Sequence, residues 1–318
     1  MKKVKKGKHR APKSKRRVKP KPRIKERMLS IHPPELSEKH SLPNQFGIND
    51  TFETPSQLLA KASAALDRSD PHLAFDICRE VLAIDSFDAG ALNLAGVAAF
   101  QVGLIEEALE LLEAAVFQSP GHAEAQTNLG NVLAHLGRQG DAAVAYEQAM
   151  QVDPNNSEAF FNFGLLMETE GQPTKAVTAF EKTLETNPSH ALAWHGLGNA
   201  LKTLEQLEAA KSAFEAALKQ DPELATARTN LAAVLHELGN FKGAAKQSKR
   251  ALKLSPDLVE ARYNLGTALQ ELGRHEEAIE AYEQVILYQP KHAVIFPPNP
   301  ALMFPKCSNT FFFWGVII

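Results

Sequence analysis

The chain has 318 residues, 44% apolar and 23% charged, with a formal net charge of −2. That composition excludes a collagen-like, mucin-like or wholly disordered polymer and leaves room for two or three domains. The near-neutral total conceals a division. Residues 1–28 hold 15 Lys and Arg against one acid, Glu26, so a +14 arm precedes a remainder of net charge −16.

In chain order, the basic arm comes first. Residues 1–54 contain six prolines from Pro12 to Pro43, few apolar side chains and dense charge up to residue 28, and bury too little to offset ordering entropy. A disordered basic arm and linker is expected over 1–54. Lys5-Lys6 through Arg16-Arg17 read as a polyanion contact or a nuclear import signal, or as a solubilising extension upstream of a start at Met28. No aromatics interleave with these bases, so base stacking is not suggested. No apolar stretch follows Met1-Lys2-Lys3, as a secretory signal would require. The longest apolar run, Phe311–Ile318, is eight residues, against roughly 20 for a bilayer span. Cys78 and Cys307 are too few for a disulfide framework or a zinc site and fit a reducing compartment. The expected location is cytoplasmic, or nuclear in a eukaryote.

From residue 55 to 290 the chain is periodic. Pro120, Pro154, Pro188, Pro222, Pro256 and Pro290 are spaced by 34 residues, and Ser86 extends the series backwards. The same ruler finds Gly96, Gly130, Gly164, Gly198 and Gly266, with Ala232 completing the row, and Ala74, Ala108, Ala142, Ala176, Ala210, Ala244 and Ala278. Each period reads as two helices. Gly103, Gly137, Gly171, Gly239 and Gly273 fall where a left-handed residue closes the first, and the proline prevents continuation of the second. Glycine inside a helix costs about 0.5–1 kcal/mol relative to alanine. Close helix approach is the expected compensation, with Gly130 facing Ala142 and Gly198 facing Ala210.

The pattern appears most fully as Trp194, Leu197, Gly198, Leu201, Ala210, Phe214, Ala217 and Pro222, and it resembles the tetratricopeptide repeat family. Six repeats cover residues 89–290, and a degenerate seventh precedes them at about 55–88, with Lys61 where Leu belongs. Other departures are Gln126 and Arg228 at the first large position, Ser248 at the second aromatic and Glu205 at the turn glycine. The resemblance implies an all-α, right-handed superhelical solenoid of helix-turn-helix repeats, capped at its ends.

Past Pro290 another helix pair is forbidden by Pro297, Pro298, Pro300 and Pro305. Residues 291–318 contain no Asp or Glu and end in Phe311-Phe312-Phe313-Trp314-Gly315-Val316-Ile317-Ile318, an irregular apolar tail in place of a polar cap. The expectation is a tail translated from an altered reading frame or alternative exon, in a protein that originally continued. The alternative is a genuine tail docked on the last helix.

Numbering each repeat from Ala123, Ser157, Ala191, Ala225 and Val259, a rotation of about 100° per residue separates two faces of the first helix. Places four, seven, eight and eleven meet the partner helix; places two, five, six, nine, twelve and thirteen line the inside of the superhelix. Place six is Asn128, Asn162, Asn230 and Asn264, interrupted by Gly196, and place nine adds Asn131 and Asn199. Carboxamides there could give a donor and an acceptor to an extended backbone, or could tie one repeat to the next. The row is similar to that in the repeat domain of the O-linked N-acetylglucosamine transferases, which implies a hold on a substrate backbone. The lining is also acidic, with Glu124, Glu158, Glu168, Glu237, Glu260 and Glu271 against one base, Lys202, and Phe161 and Tyr263 offer aromatic contacts. The Lys and Arg that family members use to clamp acidic chaperone tails are absent from places five and nine, so steering favours a neutral or basic extended segment. The chain's own arm qualifies.

No chemistry of catalysis or cofactor binding emerges. His190 and His195 are off-register for a shared metal, Gly196-Leu197-Gly198 has no preceding strand to make a phosphate loop, and paired acids such as Glu106-Glu107 recur as solvated faces. The expected function is a non-enzymatic scaffold holding an extended segment of another protein in a concave groove. The alternative is the substrate-recruiting part of a larger, truncated glycosyltransferase or sulfotransferase-like enzyme.

Overall fold

The computed structural model describes residues 53–288. The arm, apart from Glu53 and Thr54, lies outside the described residues, as do Pro290 and the tail over 291–318. So do the polyanion, import-signal and reading-frame expectations that rest on them.

Fourteen helices occur among the described residues, and no strand. They pair as seven hairpins: α1 (Pro55–Asp67) with α2 (Pro71–Ile84), α3 (Ala89–Gln101) with α4 (Ile105–Gln118), α5 (Ala123–His135) with α6 (Gln139–Val152), and α7 (Ser157–Thr169) with α8 (Pro173–Thr186). They continue as α9 (Ala191–Thr203) with α10 (Leu207–Gln220), α11 (Ala225–Glu237) with α12 (Phe241–Leu254), and α13 (Val259–Glu271) with α14 (His275–Tyr288). None is long and apolar enough to cross a membrane.

Local chemistry sets these boundaries. Thr54 opens α1 with a capping box, its side chain accepting from Gln57 N–H while the Gln57 side chain takes the Thr54 N–H. Asp70, Asp88, Asn156 and Asn240 cap later helices with a side-chain oxygen. First helices close through a left-handed residue: φ is +84° at Gly103, +71° at Gly137 and +75° at Gly239. The amide after it bonds back five residues, as Arg138 N–H does to the Leu133 carbonyl. Ser69 and Glu205 adopt the same conformation, at φ 60° and 59°, without glycine's freedom. Second helices stop two residues before the proline. Asp153 and Asp221 are accordingly extended.

The mid-helix glycines have a different neighbour from the expected alanine. A Cβ on Gly130 would lie 2.5 Å from the Tyr146 ring, on Gly164 2.7 Å from Phe180, on Gly198 2.6 Å from Phe214 and on Gly266 2.6 Å from Tyr282. Gly96 makes room for Leu112 in the same way. Ala142, Ala210 and Ala278 are buried nearby, but the glycine admits the large side chain one helical turn further on. Close approach is therefore the reason, with the large side chain nearest to the glycine; at Gly96 the carbonyl of Ala108, in the alanine row, follows Leu112 at 3.4 Å. The hairpin at 225–258 departs in both halves, with Ala232 for the glycine and a fully buried Ser248 for the ring.

Successive first helices pack on one another, whereas no comparable contact joins successive second helices among the described residues. The array therefore closes on the side of α1, α3, α5, α7, α9, α11 and α13, and that side carries the candidate site.

Candidate functional site

Repeat stacking places the inner residues on a graded wall. Place two is exposed, as Glu124, Glu158, Leu192, Thr226 and Glu260. Places five, six and nine sit half-buried where one helix meets the next, with Thr127, Gly196 and Thr229 buried and Leu165 exposed.

The asparagines form rungs between repeats. Asn128 Nδ2 donates to Asn93 Oδ1 at 2.9 Å, Asn162 to Asn131 at 2.8 Å and Asn230 to Asn199 at 2.8 Å. Asn264 donates to the Thr229 carbonyl at 3.1 Å. Each place-six carboxamide thus reaches one repeat back. Place nine is doubly engaged: Asn131 Oδ1 also accepts from the Tyr146 hydroxyl at 2.8 Å, tying the rung to the ring beneath Gly130. The acids join in. Glu124, Glu158 and Glu168 accept from Asn93, Asn131 and Asn199. The lining's base, Lys202, lies 3.5 Å from Glu237.

Burial is the main cause of the shifted titration of three members of this network, raising the Tyr146 hydroxyl pKa, with Glu158 adding to the effect, and acting on Glu168 and His195. Burial raises the Glu168 carboxyl pKa, an effect the Asn199 hydrogen bond partly opposes. Burial lowers the His195 pKa from 6.5, so its ring is neutral at pH 7 and lies 3.1 Å from Asn230 Nδ2. With the proton on Nδ1, Nε2 accepts from that amide.

Gly196 breaks the row for a steric reason: a Cβ there would lie 2.5 Å from the Phe180 ring, which fills the space between Gly164 and Gly196. The wall is apolar at that point. Phe161 stacks against Phe180 and His190 at centroid distances of 6.0 and 4.5 Å, with Leu165 and Leu192 exposed on the same lining. Tyr263 packs near Tyr282, 5.9 Å between centroids. Trp194 and Arg228 point the other way and donate to the carbonyls of Pro188 and Pro222.

Sequence reasoning located the six asparagines, Phe161 and Tyr263 and set His195 and Leu165 at inner places five and nine without a role, but did not name Asn93 or Leu192 as members of this wall. Asn93 stands at place five, one residue off the row, so only the inter-helix geometry reveals its part. Leu165 and Leu192 carry a signal that was available, since apolar residues at inner, non-contacting places have nothing within the hairpin to cover them. Cys78 is fully buried, and burial and Asp88 push its thiol up to about 11, which removes it as a nucleophile. No group of metal-binding side chains occurs among the described residues.

Tetratricopeptide repeat family models match residues 93–159, 145–178, 167–223 and 223–286. Among solved structures, the array is similar to YrrB, described as a TPR protein with an unusual peptide-binding site, at 23% identity over 58% of this chain and 95% of that one, with a TM-score of 0.52. It is also similar to pilF of Pseudomonas aeruginosa at 20% identity, 65% and 95% coverage and a TM-score of 0.61. A tetratricopeptide repeat protein from Parabacteroides merdae matches at 17% identity, 78% and 97% coverage and a TM-score of 0.52. At these identities the likeness is one of fold. A comparison with curated proteins finds no match.

Proposed function

The chain belongs to the tetratricopeptide repeat family, and on that premise we propose that it is a non-enzymatic scaffold that holds an extended, neutral or basic segment of another protein along its inner wall. One observation carries the reading. Asn128, Asn162, Asn230 and Asn264 each commit an N–H to the preceding repeat, while Oδ1 has no hydrogen-bond partner among the described residues and is not sealed from solvent. Structural and binding roles are therefore divided between the two ends of one carboxamide: the donor ties repeats together and the acceptor is left for a guest backbone N–H.

Around these acceptors Glu124, Glu158 and Glu260 steer a basic segment, and the Phe161–Leu165–Leu192 patch offers a seat for an apolar side chain. Each backbone hydrogen bond nets about 0.5–1.5 kcal/mol, and the guest loses entropy on ordering. Micromolar affinity is expected. A synthetic peptide of residues 1–28 is the first probe, against a chain lacking those residues. Changing Asn128, Asn162, Asn230 and Asn264 together to Ala should weaken it at least about 30-fold. Phe161→Ala weakens an apolar-containing guest and leaves the rungs intact. Equal affinity in all these proteins would end the reading. Mapped on the same wall, the substrate-recruiting part of a larger glycosyltransferase-like enzyme would use the same acceptors; addition of a sugar to a bound Ser or Thr peptide by a longer chain would favour it.

A further inference from the structure

The outer side of the last two hairpins carries charge that the inner wall does not use. Helix α12 has five bases and no acid. Lys242, Lys246, Lys249 and Lys253 follow i, i+4, i+7 and i+11, so they share one helical face, and all four are exposed. With Arg250 and Arg274 they border an open groove. One period on, α14 repeats the stripe with the sign reversed: Glu276, Glu280 and Glu283 are exposed, and Leu287, 76% exposed, stands in the place of Lys253. The stripes adjoin, because Lys249 Nζ lies 3.7 Å from Glu277, which Arg274 also contacts. Lys242, Lys246, Lys253, Glu276, Glu280 and Glu283 make no ion pair among the described residues.

This pattern constrains what can dock. An acidic segment drawn to the lysines would lie alongside the α14 carboxylates and be repelled, and a basic segment fails in the opposite sense. The partner must present acid opposite α12 and base opposite α14 at matched spacing. A second copy, turned about a twofold axis parallel to the helices, does so by symmetry. We propose that the chain forms a twofold dimer through the outer faces of α12 and α14. Lys242, Lys246 and Lys249 of each copy face Glu276, Glu280 and Glu283 of the other, and the aliphatic stem of Lys253 covers Leu287.

The dimer is weak. Each 14-residue helix is about 21 Å long, so the two helices offer on the order of 400 Å² per copy, half the usual share of a stable interface. Solvated ion pairs add little each and are screened by salt. Association on the order of 10–100 µM follows.

Sedimentation of the full chain tests this. At low salt the dimer fraction rises with concentration, and about 1 M salt abolishes it. Lys246→Glu or Glu280→Lys alone lowers the association constant at least about tenfold, while the double variant, in which both symmetry-related 246–280 pairs re-form with signs exchanged, regains it to within about threefold. Glu110→Lys, in the similar acidic stripe of α4, changes nothing. Circular dichroism melting of each variant confirms that these exposed changes leave the fold intact. A monomer at every concentration in low salt, a dimer that ignores the single reversals, or a double variant that stays monomeric overturns the proposal. So does oligoglutamate bound by a chain that remains monomeric and lost on Lys246→Glu.

Discussion

The hairpins α9–α10 and α11–α12 follow the same backbone path with opposite interiors. In the first, Gly198 admits the fully buried Phe214 ring. In the second, Ala232 and Ser248 hold the two corresponding places, both fully buried, and Ser248 Oγ has no partner. Leu231, Val234 and Leu235 carry the packing there instead. The glycine place and the ring place are thus two ends of one contact. When the ring is absent, the glycine has no steric purpose, and alanine removes its helix cost.

Removing the ring should have the largest effect. Phe214→Ala costs about 3–5 kcal/mol, visible as a lower urea midpoint and faster amide exchange in α9 and α10. Ser248→Ala at the equivalent place should be neutral or gain up to about 1 kcal/mol, because it deletes a buried unsatisfied hydroxyl. A large loss there would mean the two interiors are not alternatives. Next, Gly198→Leu costs about 1–3 kcal/mol by forcing the ring aside. Ser248→Phe should likewise destabilise by about 1–3 kcal/mol beside Ala232. Adding Ala232→Gly should recover most of that, with a coupling of at least about 1 kcal/mol in the double-mutant cycle; strictly additive values would separate the two ends.

The turns sharpen the comparison at lower cost. Glu205→Gly relieves a left-handed residue with a side chain and should stabilise by about 0.5–1 kcal/mol, while Gly239→Glu should lose about 1–2 kcal/mol. Thermal unfolding distinguishes the signs. The smallest effect concerns pH. Burial lowers the His195 pKa in the fold, so the unfolded chain binds its proton more readily. The stability that the neutral ring confers is present above 6.5 and is lost as pH falls from there towards the folded value. His195→Phe should therefore show a shallower fall in unfolding temperature on acidification than the parent chain.

Much of this was legible in the sequence because its causes are local. Gly103, Gly137 and Gly273 mark turns through their own backbone freedom, and the prolines end helices wherever they stand. That Tyr146 is nearest to Gly130 was not legible, because it depends on how two helices cross and brings in a residue one turn beyond Ala142. The asparagine row was legible as a row. Whether it ties repeats together or holds a guest stayed open, because the bond from Asn162 to Asn131 exists only once one repeat is set against another. Helix α12 went unnoticed because charge was summed over the whole remainder; the same charges aligned by period would have shown Lys246 above Glu280.

The gap in the asparagine row has a mechanical consequence. Carboxamide-to-carboxamide links run from Asn93 to Asn162 and resume at Asn199, and at Gly196 the one side-chain hydrogen bond across the lining among the described residues is that between Glu168 and Asn199. Under tension along its length the solenoid is a spring of unequal coils, and between α3 and α11 it should yield first at the joint between α7 and α9, where one such bond stands against two or more at each neighbouring joint. Stretched in an optical trap, the chain should extend there before the neighbouring coils α3–α5 and α9–α11 unwind, and the inner groove should widen at Phe161.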